Sequence, residues 1–464
     1  MNNFKKILSV ILSAVIMMQA GALCVANAGA DEPIPDYTIV SPYEDVIWEG
    51  DNAWGEYKGT LHSHTTYSDA SESLSVMIKE YYNQDYDFVA NADHGVTGVD
   101  WDEAPLFPAL YLYQPIIGCK FEHLTTDEYT AIQDGSYPLY DGTVRNKKMV
   151  PVLGANELNF IALSKNHING YFLEGATGMG YQSFEGMAGY EDAVAFVDAN
   201  GGLSHINHPG DWLQSNDKPE AVSDPANVKY FGDLILKYDS CLGTEVFNEK
   251  NGTTGYDRIL WDNLLMYTLP YGKNVIGFSN TDAHTKSMVN SSFSVFMMEE
   301  NNVENIKETM QNGNFFMVTR NLRQNVVNDI GPDEAFDVID EIGLAYPMFT
   351  EVSVDGHKIT VSARDADKLQ FIANGKVIAK YDIGEDAITL DLDTIEGAED
   401  FLYVRAEILG EGGMTITQAL TIDNGSEPLE FVEKTGVEAI WEEILQILSS
   451  LRIVVIFQEI IRAF

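Results

Sequence analysis

The sequence predicts an α/β domain of barrel type, followed by a small all-β sandwich and a helical tail. Three observations carry this reading. From Tyr57 to Asn280, strand-like runs alternate with stretches of helical apolar spacing, and the runs carry His, Asp or Glu at or near their ends. From Phe349 to Ile422 the pattern changes to alternating runs broken by Asp355-Gly356 and Asn374-Gly375, which are hairpin-turn pairs. From Thr435 onward Ile440, Ile444, Leu445, Leu448 and Leu451 return to helical spacing, with Glu442 and Glu443 on the other face. Polar side chains gathered at the ends of parallel strands are what a β/α barrel provides.

The elements follow in order. Lys5 and Lys6, the apolar run Ile7 to Met18, and the small-x-small sites Ala26-Asn27-Ala28 and Ala28-Gly29-Ala30 read as a signal peptide over 1–30. The apolar stretch is short for a membrane span, and Leu23 before Cys24 argues against lipidation. Residues 31–54 form a Pro- and acid-rich N-terminal arm. The barrel domain is expected over 55–325. Its first strand delivers His62 and His64. Leu74, Met77, Ile78, Tyr81 and Tyr82 then predict a helix over Ser71 to Asn83. Tyr86 to Ala90 is a short strand ending at Asp93-His94, so this unit is strand–helix–strand and its sheet is expected to be parallel. Gly98 to Arg145 lacks a clear period and reads as an insertion that covers the site. Met149 to Gly154 is a strand leading to Glu157, and a polar hairpin-like region follows. Tyr190 to Ala199 is a helix stopped by Asn200-Gly201-Gly202. Strands are expected at Leu203 to His208, Thr244 to Asn248 and Asn274 to Asn280, and helices at Tyr256 to Met266 and Val303 to Met310. Residues 326–347 are a linker, 348–425 the β-sandwich and 426–464 the amphipathic tail. Arg452, Glu459 and Arg462 interrupt the tail's last apolar run, so it is expected to pack or self-associate, with surface association next in order.

The chain has 464 residues, which suggests two or three domains, and a net charge of −43. That charge argues against long, non-specific nucleic-acid binding, because phosphate backbones need Lys and Arg. It does not exclude a small anionic substrate, since bound metals reverse the local sign. After the signal peptide only Cys119 and Cys241 remain, which is no disulfide framework; whether they pair stays open.

His62-x-His64 by itself is a weak signal. It strengthens when His-x-His, Asp93-His94, a strand-end Glu157, His208-Pro209 and Asp282-x-His284 follow one another on successive runs. Imidazole and carboxylate without thiolate suit Mn, Zn or Fe. His205 stands opposite His208 along its strand and is expected in the core or behind the ligands. His123 has no motif around it.

On these residues the chain resembles the polymerase-and-histidinol-phosphatase (PHP) family, and within it the secreted relatives of carbaryl-hydrolase type. The motifs are His62-Ser63-His64 with Ser68-Asp69, Asp93-His94, Gly154-Ala155-Asn156-Glu157, His208-Pro209-Gly210, Glu245-Val246-Phe247-Asn248 and Thr281-Asp282-Ala283-His284; Ala70 replaces the usual Gly. The resemblance spans roughly Gly55 to Arg320. It implies a distorted seven-stranded β/α barrel and two or three divalent metal ions. One ion would use His62, His64, Glu157 and Asp282; a second would share Glu157 and add His167 and His208; a third would use Asp69, His94 and His284. Glu157 and Asp93 are the expected catalytic pair, with Asp93 and Glu245 orienting ligands. The expected function is a secreted or cell-surface metal-dependent hydrolase, a phosphoesterase using a metal-bridging hydroxide on a small phosphorylated substrate. The alternatives are a carboxylic ester, carbamate or amide hydrolase with the same centre, and a non-catalytic surface binding protein with a structural metal site. A phosphate site should place a cation near the metals, from Lys165, Lys250, Lys286 or Arg320.

Overall fold

Helices and strands alternate along the first part of the chain much as its spacing dictates. The computed structural model describes residues 37–104, 121–159, 166–173, 188–249, 255–320, 344–384 and 386–433. The expected signal peptide, the expected linker up to residue 343 and the expected tail from residue 434 lie outside the described residues, as does Cys119.

Strands β2 (Gly55–Thr60), β3 (Phe88–Val89) and β4 (Val150–Pro151) are parallel, and the helix Leu74–Asn83 crosses between the first two. Ser73 caps that helix, its side chain accepting from Val76 N, and Leu74, Met77, Ile78, Tyr81 and Tyr82 are all buried, one stripe of a 3.6-residue period. A second sheet holds β5 (Asn156–Leu158), β6 (Ile168–Tyr171), β7 (Leu203–Ile206), β8 (Cys241–Asn248) and β9 (Ile276–Asn280). Here β7, β8 and β9 are parallel, but β5–β6 and β6–β7 are antiparallel, where the sequence has its hairpin-like stretch after Glu157; the strands of the strand–helix–strand unit, β2 and β3, are parallel as expected. The chain between β5 and β6 is too short for a crossover helix, so it must turn back on itself. Two isolated parallel bridges, Ser63↔Ala283 and His94↔Glu157, tie the C-terminal ends of the two sheets together.

Among the described residues three α-helices go beyond the sequence expectations, one of them the short Pro209–Leu213 where the sequence predicts a turn. Thr126–Asp134 lies in the aperiodic insertion; its Thr125/Glu128 capping box is the signal, and with only Ile132 buried it shows no apolar stripe. Pro225–Lys237 starts from Asp224 and Pro225, a cap and a first-turn proline, and buries Val228, Phe231, Leu234 and Ile235. Among the described residues no helix is long and apolar enough to cross a membrane.

The all-β part comprises β12 (Met348–Asp355), β13 (Lys358–Arg364), β14 (Lys368–Ala373), β15 (Lys376–Asp382), β16 (Ile388–Asp391), β17 (Tyr403–Gly410), β18 (Gly413–Ile416) and β19 (Leu420–Asp423). Asn374 and Gly375 both take positive φ in the turn joining β14 to β15. β12, β13 and β16 form a three-stranded sheet. The others extend the sheet of β2, because β18 pairs with β11 (Phe315–Thr319), and β11 pairs with β10 (Ser292–Met298), which runs antiparallel to β2. Gln418 reaches further and pairs its side-chain amide with both the N–H and the C=O of Gly277 on β9. The arm is part of the same fabric. β1 (Thr38–Val40) pairs with β19, and Tyr43 stacks on Phe316 while its hydroxyl donates to Phe315 O.

Candidate metal centre

The strand ends bring their chemistry to one place. His62 and His64 follow β2, one residue apart and on one side of the sheet, as alternation requires. Glu157 lies on β5, His208 just beyond β7, and Asp282 just beyond β9. His208 (φ 24°), Glu249 (φ 44°) and Asp282 (φ 42°) take left-handed backbone immediately after three successive strands. Such strain in non-glycine residues is costly and concentrates where a side chain must be aimed.

Glu157 is the hub. Its Oε2 lies 3.3 Å from His62 Nε2, 3.1 Å from His64 Nε2 and 3.0 Å from His94 Nδ1. Its Oε1 lies 3.0 Å from His167 Nδ1 and 3.2 Å from His208 Nε2. Asp282 Oδ1 lies 3.2 Å from His62 Nε2 and 3.0 Å from His64 Nε2. At the outer edge Asp69, half-exposed, faces His284 Nε2 at 3.3 Å and both His64 Nδ1 and His94 Nε2 at 3.7 Å. All nine ligand candidates of the sequence therefore fall in one cluster. His94 stands between its inner and outer parts.

Behind the ligands a layer of acceptors and donors fixes the rings. Glu245 Oε1 accepts from His62 Nδ1 at 2.9 Å, and Oε2 accepts from the His208 backbone N–H at 2.9 Å. Asp93 accepts from Thr65 N, Thr65 Oγ1 and Ser68 Oγ at 2.7, 2.8 and 2.6 Å. Having donated to Asp93, Ser68 Oγ accepts from His64 Nδ1 at 3.2 Å. Asp93 thus touches no ligand atom directly, so it works by positioning and only Glu157 of the expected catalytic pair sits among the ligand atoms. Both inner imidazoles are left with Nε2 turned inward, the arrangement by which metal-binding histidines are usually held. Sequence reasoning missed three amides of this layer. Asn207 donates to Glu157 Oε1, Asn280 to Glu245 Oε1, and Asn248 to Glu245 Oε2, each within 2.9 Å. Asparagine at a strand end has no signal of its own. His205 is buried against Phe278 and meets the Tyr171 hydroxyl at 2.8 Å, outside the cluster. His123 is exposed.

The electrostatics set buried carboxylates against buried imidazoles. Burial opposes charge on every group here, yet Asp282, Glu157 and Glu245 together raise His62 well above the ordinary imidazole range. Against burial and His284, Asp282 and Glu157 lift His64 to about 10. Against burial, Glu157 lifts His208 to about 9. Glu157 and Asp282 are held well below the carboxylate range despite burial, by the facing imidazoles. Burial wins at His94, reinforced by His64 and His167, and drives it to about 3. Among the described residues no lysine or arginine forms an ion pair with Asp69, Glu157, Glu245 or Asp282.

The residues fit divalent ions. His94 Nδ1, both nitrogens of His167 and Asp282 Oδ1 are buried without a hydrogen-bond partner, although oppositely polar atoms lie close by. Atoms that are near but misaligned for hydrogen bonding have lone pairs converging on a common point. Ligands about 2.0–2.2 Å from one ion lie about 3 Å from one another, which is the spacing seen around Glu157.

No family model matches the chain, and no curated protein matches it. Among solved structures, a two-domain protein from Bacteroides vulgatus containing a predicted PHP-like metal-dependent phosphoesterase is 15% identical, covering 85% of this chain and 100% of its own, with a TM-score of 0.41. PsfC from Pseudomonas syringae is 14% identical over 53% of this chain and 83% of its own, with a TM-score of 0.31. The lesion-specific endonuclease EndoQ from Pyrococcus furiosus is 12% identical over 55% of this chain and 56% of its own, with a TM-score of 0.30.

Proposed function

We propose that this chain is an exported metal-dependent hydrolase of PHP type, with a distorted barrel closed by the two strand-end bridges, acting on phosphate esters. The observation that supports it is the overlap of the groups His62, Glu157, His208 and His62, His64, Asp282, with buried polar atoms left unpaired and carboxylates that, among the described residues, form no ion pair with Lys or Arg. Divalent ions bound there would supply Lewis-acid polarisation of the ester and a nucleophile at neutral pH. The chain's own residues supply the rest. Glu245, and Asp93 through Ser68, hold His62 and His64 with Nε2 inward. Glu157 joins the inner and outer halves through its two oxygens. The half-exposed Asp69 and His284 mark the side from which a substrate enters.

A second reading, hydrolysis of a carboxylic ester or amide, draws on one observation. Of the four cations expected to face a phosphate, Arg320 is buried in the joint with the all-β part, donating to Leu344 O and Gly412 O, and Lys286 is exposed. Lys165 and Lys250 lie outside the described residues.

Elemental analysis of the purified protein, with a panel of chromogenic phosphate and carboxyl esters, tests both. Turnover of phosphate esters that falls more than about a hundredfold in Asp282→Ala or His62→Ala is expected, exceeding what loss of an orienting partner costs. Turnover of carboxyl esters alone selects the second reading. Metal loading without turnover of either class defeats both and leaves a binding role.

A further inference from the structure

The inner imidazoles each have an orienting group on Nδ1, and the outer His284 raises the question of what orients it. Its Nε2 faces Asp69 at 3.3 Å, and its ring stacks on His64 with centroids 4.4 Å apart. Its Nδ1 lies 3.0 Å from the carbonyl oxygen of Asp282 and 3.6 Å from Glu249 Oε1. Glu249 follows directly on β8, and its left-handed backbone belongs to the same set as His208 and Asp282. Its side chain is 17% exposed, and its ligand-capable oxygen lies within 4.8 Å of those of Asp282 and His284. None of the ligand motifs in the sequence includes it.

We propose that Glu249 is the positioning carboxylate of the outer metal position. With the carbonyl of Asp282 it faces the Nδ1–H of His284, which leaves Nε2 as the nitrogen turned toward Asp69 and His94. Glu249 faces His284 Nδ1 at 3.6 Å, as Glu245 on the preceding strand faces His62 Nδ1 at 2.9 Å. The outer position depends on this contact more than the inner ones do. His284 and Asp69 have side-chain exposures of 28% and 52%, against 0% for His62 and His64, whose rings are held by packing as well as by their Nδ1 partners. Glu249 therefore sets how tightly the outermost ion is held, and with it the number of ions resident at limiting metal. This inference rests on the metal-centre reading above.

The test is a titration of metal-stripped protein with Mn²⁺, followed by calorimetry and by electron paramagnetic resonance of free Mn²⁺, in the wild type, Glu249→Ala and Glu249→Gln. In Glu249→Ala the weakest site is expected to lose affinity about 10–100-fold while the tighter sites hold. In Glu249→Gln the loss is expected to be smaller, because an amide oxygen still faces Nδ1–H although the charge is gone. Circular dichroism of the stripped proteins checks that the variants are folded; if Glu249→Ala is not, the Gln variant alone carries the comparison. Unchanged affinity of every site in the folded variants, or an equal loss at all sites, overturns the assignment of Glu249 and leaves the metal centre standing. A wild type that binds no metal overturns the centre itself.

Discussion

The protein buries two clusters of charged groups, and they are built on opposite rules. In the joint between the helix Asp257–Thr268 and β17, Arg405 meets both oxygens of Asp262 at 2.8 and 2.7 Å and also pairs with Glu407. Arg258 reaches Glu407 Oε1 at 2.9 Å, and Gln370 and Tyr403 donate to the remaining acceptor positions. Two arginines balance two carboxylates, and none of these four side chains is left with a buried unpaired atom. At the strand ends the carboxylates face imidazoles, no arginine pairs with them among the described residues, and buried atoms lie close together without bonding. Arginine's fixed fork closes a cluster. Imidazole can exchange a proton for a metal, so its cluster stays open to one. One site has its charges paired as folded, with Gln370 Oε1 its one unpaired buried atom, and the other is arranged for something not encoded in the chain.

The largest difference between them should appear on truncation. Arg405→Met leaves Asp262 and Glu407 buried with one partner fewer, and the cost of breaking a buried pair from one side is about 3–5 kcal/mol. Urea unfolding should show that loss, while metal content per folded molecule stays at the wild-type value. A variant as stable as wild type, or one that keeps its fold and loses its metal, would erase the distinction drawn here.

Removing metal is the complementary operation. An ion held at 100 to 1,000 times its dissociation constant stabilises the folded state by about 2.7–4.1 kcal/mol. Chelation should destabilise the wild type by at least that amount, read as a fall in its thermal midpoint, and should move Asp282→Ala less. An equal response in both proteins would mean that the ions sit elsewhere.

How legible each cluster was in the sequence follows from the same chemistry. His62-x-His64, Asp93-His94, Glu157 and Asp282-x-His284 stood out because imidazole beside carboxylate at a strand end has few structural uses. Asp262, Arg405 and Glu407 did not stand out, because charged residues in a helix and an alternating strand read as a solvated face, and only the pairing of distant elements buries them. Glu249 precedes Lys250-Asn251-Gly252 and reads as loop polarity until His284 is placed beside it. The helical stripes were readable from spacing alone. The pairing of β18 with β11 was not, since strand alternation fixes a face and not a neighbour. That pairing is why the all-β part extends the sheet of the site-bearing strands.

Acid should separate the two clusters with the smallest disturbance to the fold. Burial works against the charge of Glu407, but Arg258 and Arg405 prevail and hold its carboxyl down at about 2. A carboxyl depressed in the folded state contributes stability that is fully present above its unfolded value near 4.5, and this share is lost only as pH falls through about 2. Metal binding by imidazole responds sooner, because protons compete for the same lone pairs. Lowering the pH from 7 to 5 should therefore release metal, seen by elemental analysis after desalting, with no change in the near-ultraviolet circular dichroism that reports packing around Trp261, whose ring lies 5.3 Å from the Arg405 guanidinium. Returning to pH 7 with Mn²⁺ should restore the metal. If the aromatic signal collapses together with metal release, the two clusters form a single cooperative unit and the joint depends on the ions as well as on its arginines.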